Sequence, residues 1–201
     1  MLWRVFGNQA ATAEAFVQHL ATTGVKRGLI GPRERGRLWT RHVLNCAVLV
    51  ELVPDGADVI DVGSGAGLPG VAMAIARPDL VVTLVEPLER RTTWLREVVD
   101  ALGLEIRVVR ARAEELSSAE RAQVVTARAV AALDKLARWT VPLVAPGGVV
   151  LAIKGHSAAG ELAAARPGLR RSGVVEASVL LCGETVLEVP TTVVRLRTGR
   201  G

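Results

Sequence analysis

The chain has 201 residues, half of them hydrophobic, which favours one domain, 1–201, with a sizeable core. Its start lacks a signal-peptide pattern, and its uncharged runs are shorter than the ~20 residues of a membrane span, so a cytoplasmic location is expected. Cys46 and Cys182 match no metal or redox spacing, so the sequence predicts reduced thiols and no metal site. The net charge of +5 favours a polyanionic partner.

The first part of the chain is predicted to be a helical extension, residues 1–54. Residues 10–23 carry apolar side chains at helical spacing, and glycines then interrupt the pattern. A second helix is predicted from Pro32, a residue suited to a first helical turn, to residue 53. Four arginines cluster in the first half of that helix, and we expect them to contact the phosphates of RNA: Arg33, Arg35, Arg37 and Arg41.

Strands and helices alternate from residue 55 onward, which predicts a core of 55–201. Five short strands are predicted at 57–62, 81–86, 105–111, 123–129 and 147–154, with helices at 68–77, 88–102 and 132–141. Two longer strands, 173–181 and 184–198, follow at the end of the chain. Alternation of this kind implies parallel strands joined by right-handed crossovers. The prediction is a Rossmann-like, seven-stranded and mostly parallel α/β sheet whose last strand runs antiparallel.

A glycine-rich turn follows the first predicted strand, in the segment DVGSGAGLPG. Gly63 and Gly65 match the first two glycines of the dinucleotide fingerprint, but Leu68 stands where the third would fall. No Gly-Lys-Ser/Thr follows, so the sequence has no phosphate-binding P-loop. A ligand is expected beyond the carboxyl end of this strand, where glycines let the backbone approach it closely.

Acidic residues near the ends of the first three strands point to a nucleoside. Asp61 precedes the glycine turn, and Glu86 ends the second strand, where a carboxylate can accept hydrogen bonds from both ribose hydroxyls. Glu114, after the third strand, can accept from an adenine amino group, although it also suits the start of a helix. A nucleoside cofactor without a pyrophosphate is S-adenosylmethionine. The pattern therefore predicts a class I S-adenosylmethionine-dependent methyltransferase.

The end of the fourth strand, Thr126-Ala127-Arg128, bears on the chemistry. Methyltransferases of exocyclic amines carry Asn/Asp-Pro-Pro-Tyr/Phe there, and methylation of a pyrimidine C5 needs a cysteine nucleophile, which neither cysteine is placed to provide. Purine N7 has an exposed lone pair and no proton, so its methylation needs positioning and electrostatic support rather than a general base. Arg128 is predicted to be an active-site cation, with a structural ion pair as the alternative.

Lys154 and His42 are two further catalytic candidates. Lys154 ends the fifth strand and is expected at the edge of the same crevice, in contact with the pocket or with RNA. His42 is either a pocket-facing or RNA-facing residue, or a buried histidine hydrogen-bonded to the backbone. Two other functions stay open at this point: a small-molecule methyltransferase with an incidental basic surface, and a non-catalytic RNA-binding protein.

Taken together, these motifs resemble those of the bacterial 16S ribosomal RNA guanine-N7 methyltransferases of the GidB type. The resemblance covers about residues 35 to 155 and includes RHVL, DVGSGAGLPG, VTLVEPLERR, RAEEL, ARAVAALDKL and LAIKG. Its most specific parts are the Leu-Pro-Gly after the glycine turn and the Arg-Ala at the end of the fourth strand. The segment GLIGPRERGRLW departs from the aromatic, Asn-containing segment that is usual in the family.

The resemblance implies S-adenosylmethionine as the methyl donor and a guanine of 16S ribosomal RNA, in the small ribosomal subunit, as the acceptor. It also implies cofactor contacts at the matching positions Gly63, Leu68, Glu86, Pro87, Leu88, Ala113, Glu114 and Arg128. With Asp61 and Gly65 from the glycine segment, these residues form the predicted cofactor site. The expected form of the protein is a monomer that needs neither a metal nor a membrane.

Overall fold

The computed structural model describes residues 2–116 and 120–199, which form a seven-stranded sheet with helices on both faces. The strands are β1 (Asp58–Val62), β2 (Val81–Val85), β3 (Ile106–Val109), β4 (Ala122–Arg128), β5 (Val144–Ile153), β6 (Val174–Cys182) and β7 (Thr191–Thr198). Their order across the sheet is β3-β2-β1-β4-β5-β7-β6. Neighbours from β3 to β5 pair in parallel, whereas β7 is antiparallel to both β5 and β6.

The α-helices of the described residues are α1 (Leu2–Phe6), α2 (Ala10–His19), α3 (Leu44–Ala47), α4 (Gly70–Ala76), α5 (Glu89–Ala101), α6 (Leu133–Thr140) and α7 (Ala158–Arg171). Short 3-10 helices lie at Gly7–Gln9, Pro32–Arg37, Val48–Leu52, Ala113–Glu115 and Val141–Leu143, and π-helical segments at Leu20–Gly24 and Leu38–Val43. None of the helices in these parts of the chain is both long and apolar enough to cross a membrane.

Apolar layers cover the two faces of the sheet. One layer contains the N-terminal helices with α4 and α5, and the indole of Trp94 is fully buried in it. The other contains α6 and α7 around the buried Leu133. Because successive side chains of a strand point to opposite faces, Val59 of β1 joins the first layer and Ile60 joins the second. Asp61 therefore faces the same side of the sheet as Val59, the side on which α4 packs.

The predicted sheet is confirmed, including its antiparallel last strand. The prediction of one α-helix over 32–53 is wrong, since this segment is a succession of 3-10, π-helical and α-helical turns. Gly36 lies in the first of these turns, and glycine weakens an α-helix because its backbone loses the most freedom on folding. The segment is thus helical throughout but irregular, and its side chains do not follow a single α-helical stripe.

The structure near the end of the chain differs from the sequence prediction in two places. The strand predicted from 184 begins only at Thr191, because the carbonyl of Gly183 accepts the amides of Val186 and Leu187 at 3.0 and 2.8 Å and closes a turn. Helix α7 was not predicted at all. It contains Pro167 in its interior, and proline is a residue that ordinarily ends a helix, so its sequence does not read as helical.

Candidate cofactor and active site

The glycine turn after β1 depends on an unusual backbone angle and on close contacts. Gly63 has a φ of +71°, a conformation that side chains other than glycine rarely adopt, and its amide donates to the carbonyl of Val85 at 2.8 Å. A Cβ atom at Gly63 would lie 2.9 Å from Cγ2 of Val130 in the loop after β4. The turn therefore joins the ends of three neighbouring strands, β1, β2 and β4, around one point.

Asp61 lies beneath this turn and is fully buried. Its Oδ2 accepts a hydrogen bond from the amide of Gly70, in the first turn of α4, at 3.0 Å. Its Oδ1 accepts no hydrogen bond from the residues that the structure describes. Burial raises the pKa of Asp61 to about 7, although the Gly70 amide and other partners oppose the shift. Asp61 thus holds the start of α4.

Glu86 follows β2 directly and is also buried, but both of its carboxylate oxygens have partners. Oε2 accepts the amide of Gly65 at 3.0 Å and lies 3.4 Å from Nη1 of Arg91. Oε1 accepts the amide of Leu88 at 3.0 Å. A carboxylate oxygen has two lone pairs, so Oε1 can still accept from a ligand hydroxyl. Glu86 also forms part of a cavity wall, which Asp61 does not.

A cavity of about 540 Å³ opens beside the glycine turn, at the carboxyl ends of the parallel strands. The structure brings together on its wall all the predicted cofactor residues except Asp61: Gly63, Gly65, Leu68, Glu86, Pro87, Leu88, Ala113, Glu114 and Arg128. A second cavity, of about 520 Å³, lies between α6 and α7 and contains none of the predicted site residues. The first cavity is therefore the candidate site.

Arg128 ends β4 and is held by residues of the N-terminal segment. Its Nη1 donates to Sγ of Cys46 at 3.2 Å, and its Nη2 lies 2.5 Å from Nδ1 of His42. Burial raises the pKa of Cys46 to about 11, so this sulfur is a neutral thiol. A guanidinium has five N–H donors, of which these contacts use two. Arg128 lines the cavity with the others still available to a ligand.

His42 is buried behind Arg128 and does not line the cavity. Its ring bonds to side chains at both nitrogens, since Nε2 lies 2.8 Å from Oε2 of Glu34. Burial lowers the pKa of His42, the hydrogen bond to Glu34 opposes this, and the charge of Arg128 lowers it further. The structure thus places His42 behind an active-site candidate, off the cavity wall and with both ring nitrogens bonded to side chains instead of the backbone.

Lys154 lies outside the cavity, at the end of β5. Its Nζ donates to the carbonyl of Ala131 at 2.8 Å and to Oε1 of Glu161 at 2.8 Å. The same oxygen of Glu161 accepts the amide of Leu133 at 2.6 Å. These contacts fasten the loop between β4 and α6 to the start of α7.

The four predicted RNA-contacting arginines are all exposed on the N-terminal segment. Nε of Arg35 donates to the carbonyl of Ala21 at 2.9 Å, and Nε of Arg41 lies 4.0 Å from Oε2 of Glu34. The side chains of Arg33 and Arg37 form no hydrogen bond or ion pair with other residues in 2–116 or 120–199. The segment therefore presents positive charge to solvent.

Sequence reasoning missed other residues of the site, including Arg91, Trp139 and Glu34. Arg91 and Trp139 line the cavity, and Glu34 holds His42. Arg91 follows Glu86 by five positions and lies in the first turn of α5, which was a usable signal for its contact with that carboxylate. Neither Trp139 nor Glu34 had a local signal. In the described ranges, no group of three or more His, Cys, Asp or Glu side chains is arranged to hold a metal ion.

Solved structures of methyltransferases share this fold. The S-adenosylmethionine-dependent methyltransferase SibL, solved in its apo form, has a TM-score of 0.65 at 19% identity, over 98% of this chain and 75% of that one. TYW2 from M. jannaschii, solved with AdoMet, has a TM-score of 0.60 at 15% identity, over 81% and 78% of the two chains. The predicted fold is confirmed as that of the class I S-adenosylmethionine-dependent methyltransferases.

Comparison of sequences identifies the protein family more narrowly than comparison of folds does. The family described as rRNA small subunit methyltransferase G matches residues 9–189. Proteins named "Ribosomal RNA small subunit methyltransferase G" include one from Renibacterium salmoninarum, 57% identical over 97% of this chain and 92% of its own length. Another, from Mycobacterium leprae, is 51% identical over 99% and 82%. The chain belongs to the rRNA small subunit methyltransferase G family.

Proposed function

We propose that this protein transfers the methyl group of S-adenosylmethionine to N7 of a guanine in the 16S ribosomal RNA of the small subunit. The observation that carries the proposal is the end of β4, where Arg128 lines the cavity with spare N–H donors. In this proposal residues 1–54 carry the RNA surface and residues 55–201 carry the cofactor site, within one domain. The protein acts as a monomer in the cytoplasm.

The cavity wall fits a nucleoside cofactor. Glu86 offers a carboxylate oxygen with a free lone pair for ribose hydroxyls, and Gly65 beside it has no side chain to fill the space. The exposed carboxylate of Glu114 is placed to accept from the adenine amino group, next to the buried Ala113. When bound, S-adenosylmethionine supplies a methyl group on a positively charged sulfur.

Guanine N7 suits this site because its lone pair needs no base to free it. The N7–carbon bond forms as the sulfur–carbon bond breaks, the sulfur becomes neutral, and the positive charge moves to the purine ring. Neither cysteine lines the cavity, and the Cys46 thiol is fully buried behind Arg128, so no cysteine is placed to act as the nucleophile of a covalent route. The work left to the protein is to orient the acceptor.

Arg128 is the residue we assign to that orientation. Arginine commonly recognises guanine through N–H bonds to its major-groove edge. A spare N–H of Arg128 would donate to O6 and leave N7 facing the methyl group. Cys46 and His42 restrict the guanidinium from behind, so the donor is fixed before the RNA arrives.

The test of the reaction is the chemical identity of its product. Small ribosomal subunits from cells that lack the protein would be incubated with it and with S-adenosylmethionine, and the digested RNA analysed by mass spectrometry. We expect 7-methylguanosine at one position. Methylation of an exocyclic amine, a pyrimidine C5 or a ribose hydroxyl would contradict the mechanism. Methylation of a small molecule but not of RNA would support the alternative, a small-molecule methyltransferase.

The RNA surface has a separate test. Arg33→Glu with Arg37→Glu should weaken RNA binding and make its dependence on salt shallower, by about one in the log–log slope per lost phosphate contact. Cofactor affinity should not change. The matched control is Arg166→Glu with Arg170→Glu on α7, which are also exposed but belong to the layer on the opposite face of the sheet. Equal losses in both double variants would contradict an N-terminal RNA surface.

A further inference from the structure

A line of side chains connects the exposed N-terminal segment to the cavity. Oε2 of Glu34 lies 2.8 Å from Nε2 of His42, and Nδ1 of His42 lies 2.5 Å from Nη2 of Arg128. His42 and Arg128 are 86 positions apart in the chain, and only the last member of the line touches the cavity. His42 therefore links Glu34 to the site.

The groups that bond to the two ring nitrogens of His42 determine which nitrogen carries the proton. Arginine is always protonated and only donates hydrogen bonds, so Nδ1 of His42 must present its lone pair to Arg128. The proton of the neutral ring is then on Nε2, where it donates to the carboxylate of Glu34. Protonation of Nδ1 would place an N–H against the N–H groups of Arg128 and put two positive charges side by side.

We propose that Glu34 is a positioning residue for methyl transfer, which holds His42 in its Nε2-protonated form and, through it, fixes the guanidinium of Arg128 at the cavity. The inference rests on the proposed function for its effect on catalysis. The hydrogen-bond arrangement itself does not depend on that function. Glu34 touches neither the cavity nor Arg128, so it acts only through the histidine.

The charges around the ring favour its neutral form. Arg128 faces it from β4, and Arg41 adds positive charge from the N-terminal segment, while Glu34 is the negative group. Burial lowers the pKa of His42 below 6.5, so acidification protonates it only at lower pH. Asp61, on β1, senses Arg128 as well and titrates near pH 7. A pH profile must therefore separate His42 from Asp61.

Nitrogen NMR of the histidine rings tests the arrangement without any substrate. The chain has three histidines, His19, His42 and His156, so the His42→Asn variant identifies the signals of His42. At neutral pH we expect a protonated Nε2 and an unprotonated Nδ1. A ring protonated on Nδ1, or on both nitrogens, would overturn the proposal even if RNA methylation is found.

Turnover of matched variants tests the consequence. Glu34→Ala removes the acceptor for Nε2, and we expect kcat to fall by up to about a hundredfold through misplacement of Arg128. Glu34→Gln keeps an oxygen acceptor and should restore most of the rate. Because Glu34→Ala also makes the RNA surface more positive, a simple charge effect would lower KM and leave kcat unchanged. The control is Glu97→Ala, which removes another partly exposed acid, paired with Arg27 at 2.7 Å.

Substitution of the histidine gives the pH readout. In His42→Asn the amide oxygen takes the place of Nδ1 as an acceptor for Arg128 but cannot be protonated, whereas in His42→Gln the amide reaches toward Glu34 instead. We expect wild-type kcat to fall on acidification below pH 6.5, and the Asn variant to lack that part of the fall. Asp61 titrates in both proteins, so its effect on kcat cancels when the two pH profiles are compared.

The proposal predicts the order of rates wild type, His42→Asn, His42→Gln. If kcat of Glu34→Ala equals that of the wild type across the pH range, the proposal is overturned. Equal losses of kcat in Glu34→Gln and Glu34→Ala would also overturn it. If no variant and no wild type methylates RNA, the proposed function fails, and the NMR result alone then decides whether Glu34 controls the state of His42.

Discussion

Asp61 and Glu86 are both buried acids beside the glycine turn, the first within β1 and the second directly after the neighbouring strand β2, but their surroundings differ. Glu86 receives the amides of Gly65 and Leu88, lies near Arg91 and lines the cavity. Asp61 receives the amide of Gly70 and lies away from the cavity. In the sequence, both are acids at the end of an apolar strand.

The difference comes from where each acid lies relative to the end of its strand. Successive residues of a strand point to opposite faces of a sheet, and Asp61 lies within β1, pointing to the face on which α4 packs. Glu86 is the first residue after β2, where the chain has left the sheet, so its carboxylate can turn toward the cavity. Asp61 is level with Leu84 in the register of the two strands, so Glu86 lies two positions further out, beyond the sheet, where it faces the cavity instead of α4.

The largest expected effect concerns the stability of Asp61→Asn as a function of pH. The folded-state pKa of Asp61 is raised to about 7 from 3.8, so its contribution to stability is present at low pH and is lost as pH rises through 7. Wild type should therefore lose about 3 kcal/mol relative to the Asn variant between about pH 5 and pH 8. Denaturant unfolding of the cofactor-free proteins measures this. Parallel stability curves for the two proteins would contradict the buried, poorly partnered state of Asp61.

The next effect concerns the cofactor. Glu86→Ala removes a charged acceptor and should weaken S-adenosylmethionine binding by about 1.5–3 kcal/mol, roughly ten- to a hundredfold. Calorimetry measures the affinity, with Asp61→Asn as the matched control, because that variant alters a buried acid that does not line the cavity. Equal losses of cofactor affinity in the two variants would contradict the distinction between the two acids. An unchanged affinity in Glu86→Ala would contradict the assignment of Glu86 to the ribose.

A smaller effect is expected at Gly70, where α4 meets Asp61. A Cβ atom there would collide with Cδ2 of Leu84 and lie 2.8 Å from Oδ2 of Asp61. Gly70→Ala should therefore lower the free energy of unfolding by about 1–3 kcal/mol. Gly160→Ala is the control, since Gly160 is an exposed position of α7 with no atom within 4 Å of an added Cβ, and should be stabilising by about 0.5–1 kcal/mol. Equal changes at both glycines would show that the contact with Asp61 is not tight.

Most of the fold was predictable because its signals are local. Each short strand of the parallel part of the sheet is a run of apolar residues between turn signals, and the observed strands lie within a few positions of the predicted ones. The failures have local causes as well: Gly36 interrupts a helix, Gly183 closes a turn, and Pro167 conceals α7. At Gly36 and Gly183 the local residue decides the outcome, whereas α7 forms in spite of the low helix propensity of Pro167.

The candidate site likewise has a part that the sequence predicts and a part that it does not. Gly63, Gly65 and Glu86 could be placed from the sequence because parallel strands end at a common edge, so residues at strand ends meet. The environment of Arg128 could not be predicted from the sequence. Its partners Cys46 and His42 come from a segment 82 and 86 positions earlier, whose irregular helical path has no periodic signature.

The sequence by itself determined the order of the strands and of most helices along the chain, the glycine turn and the presence of acids near the strand ends, since these depend on residues close together in the chain. Only the tertiary structure decided that Asp61 holds α4 while Glu86 faces the cavity, and that Glu34 reaches Arg128 through His42. Side-chain direction at a strand end and contact between distant segments depend on how several elements pack at once. That packing is a property of the whole folded chain and cannot be predicted from any one segment of it.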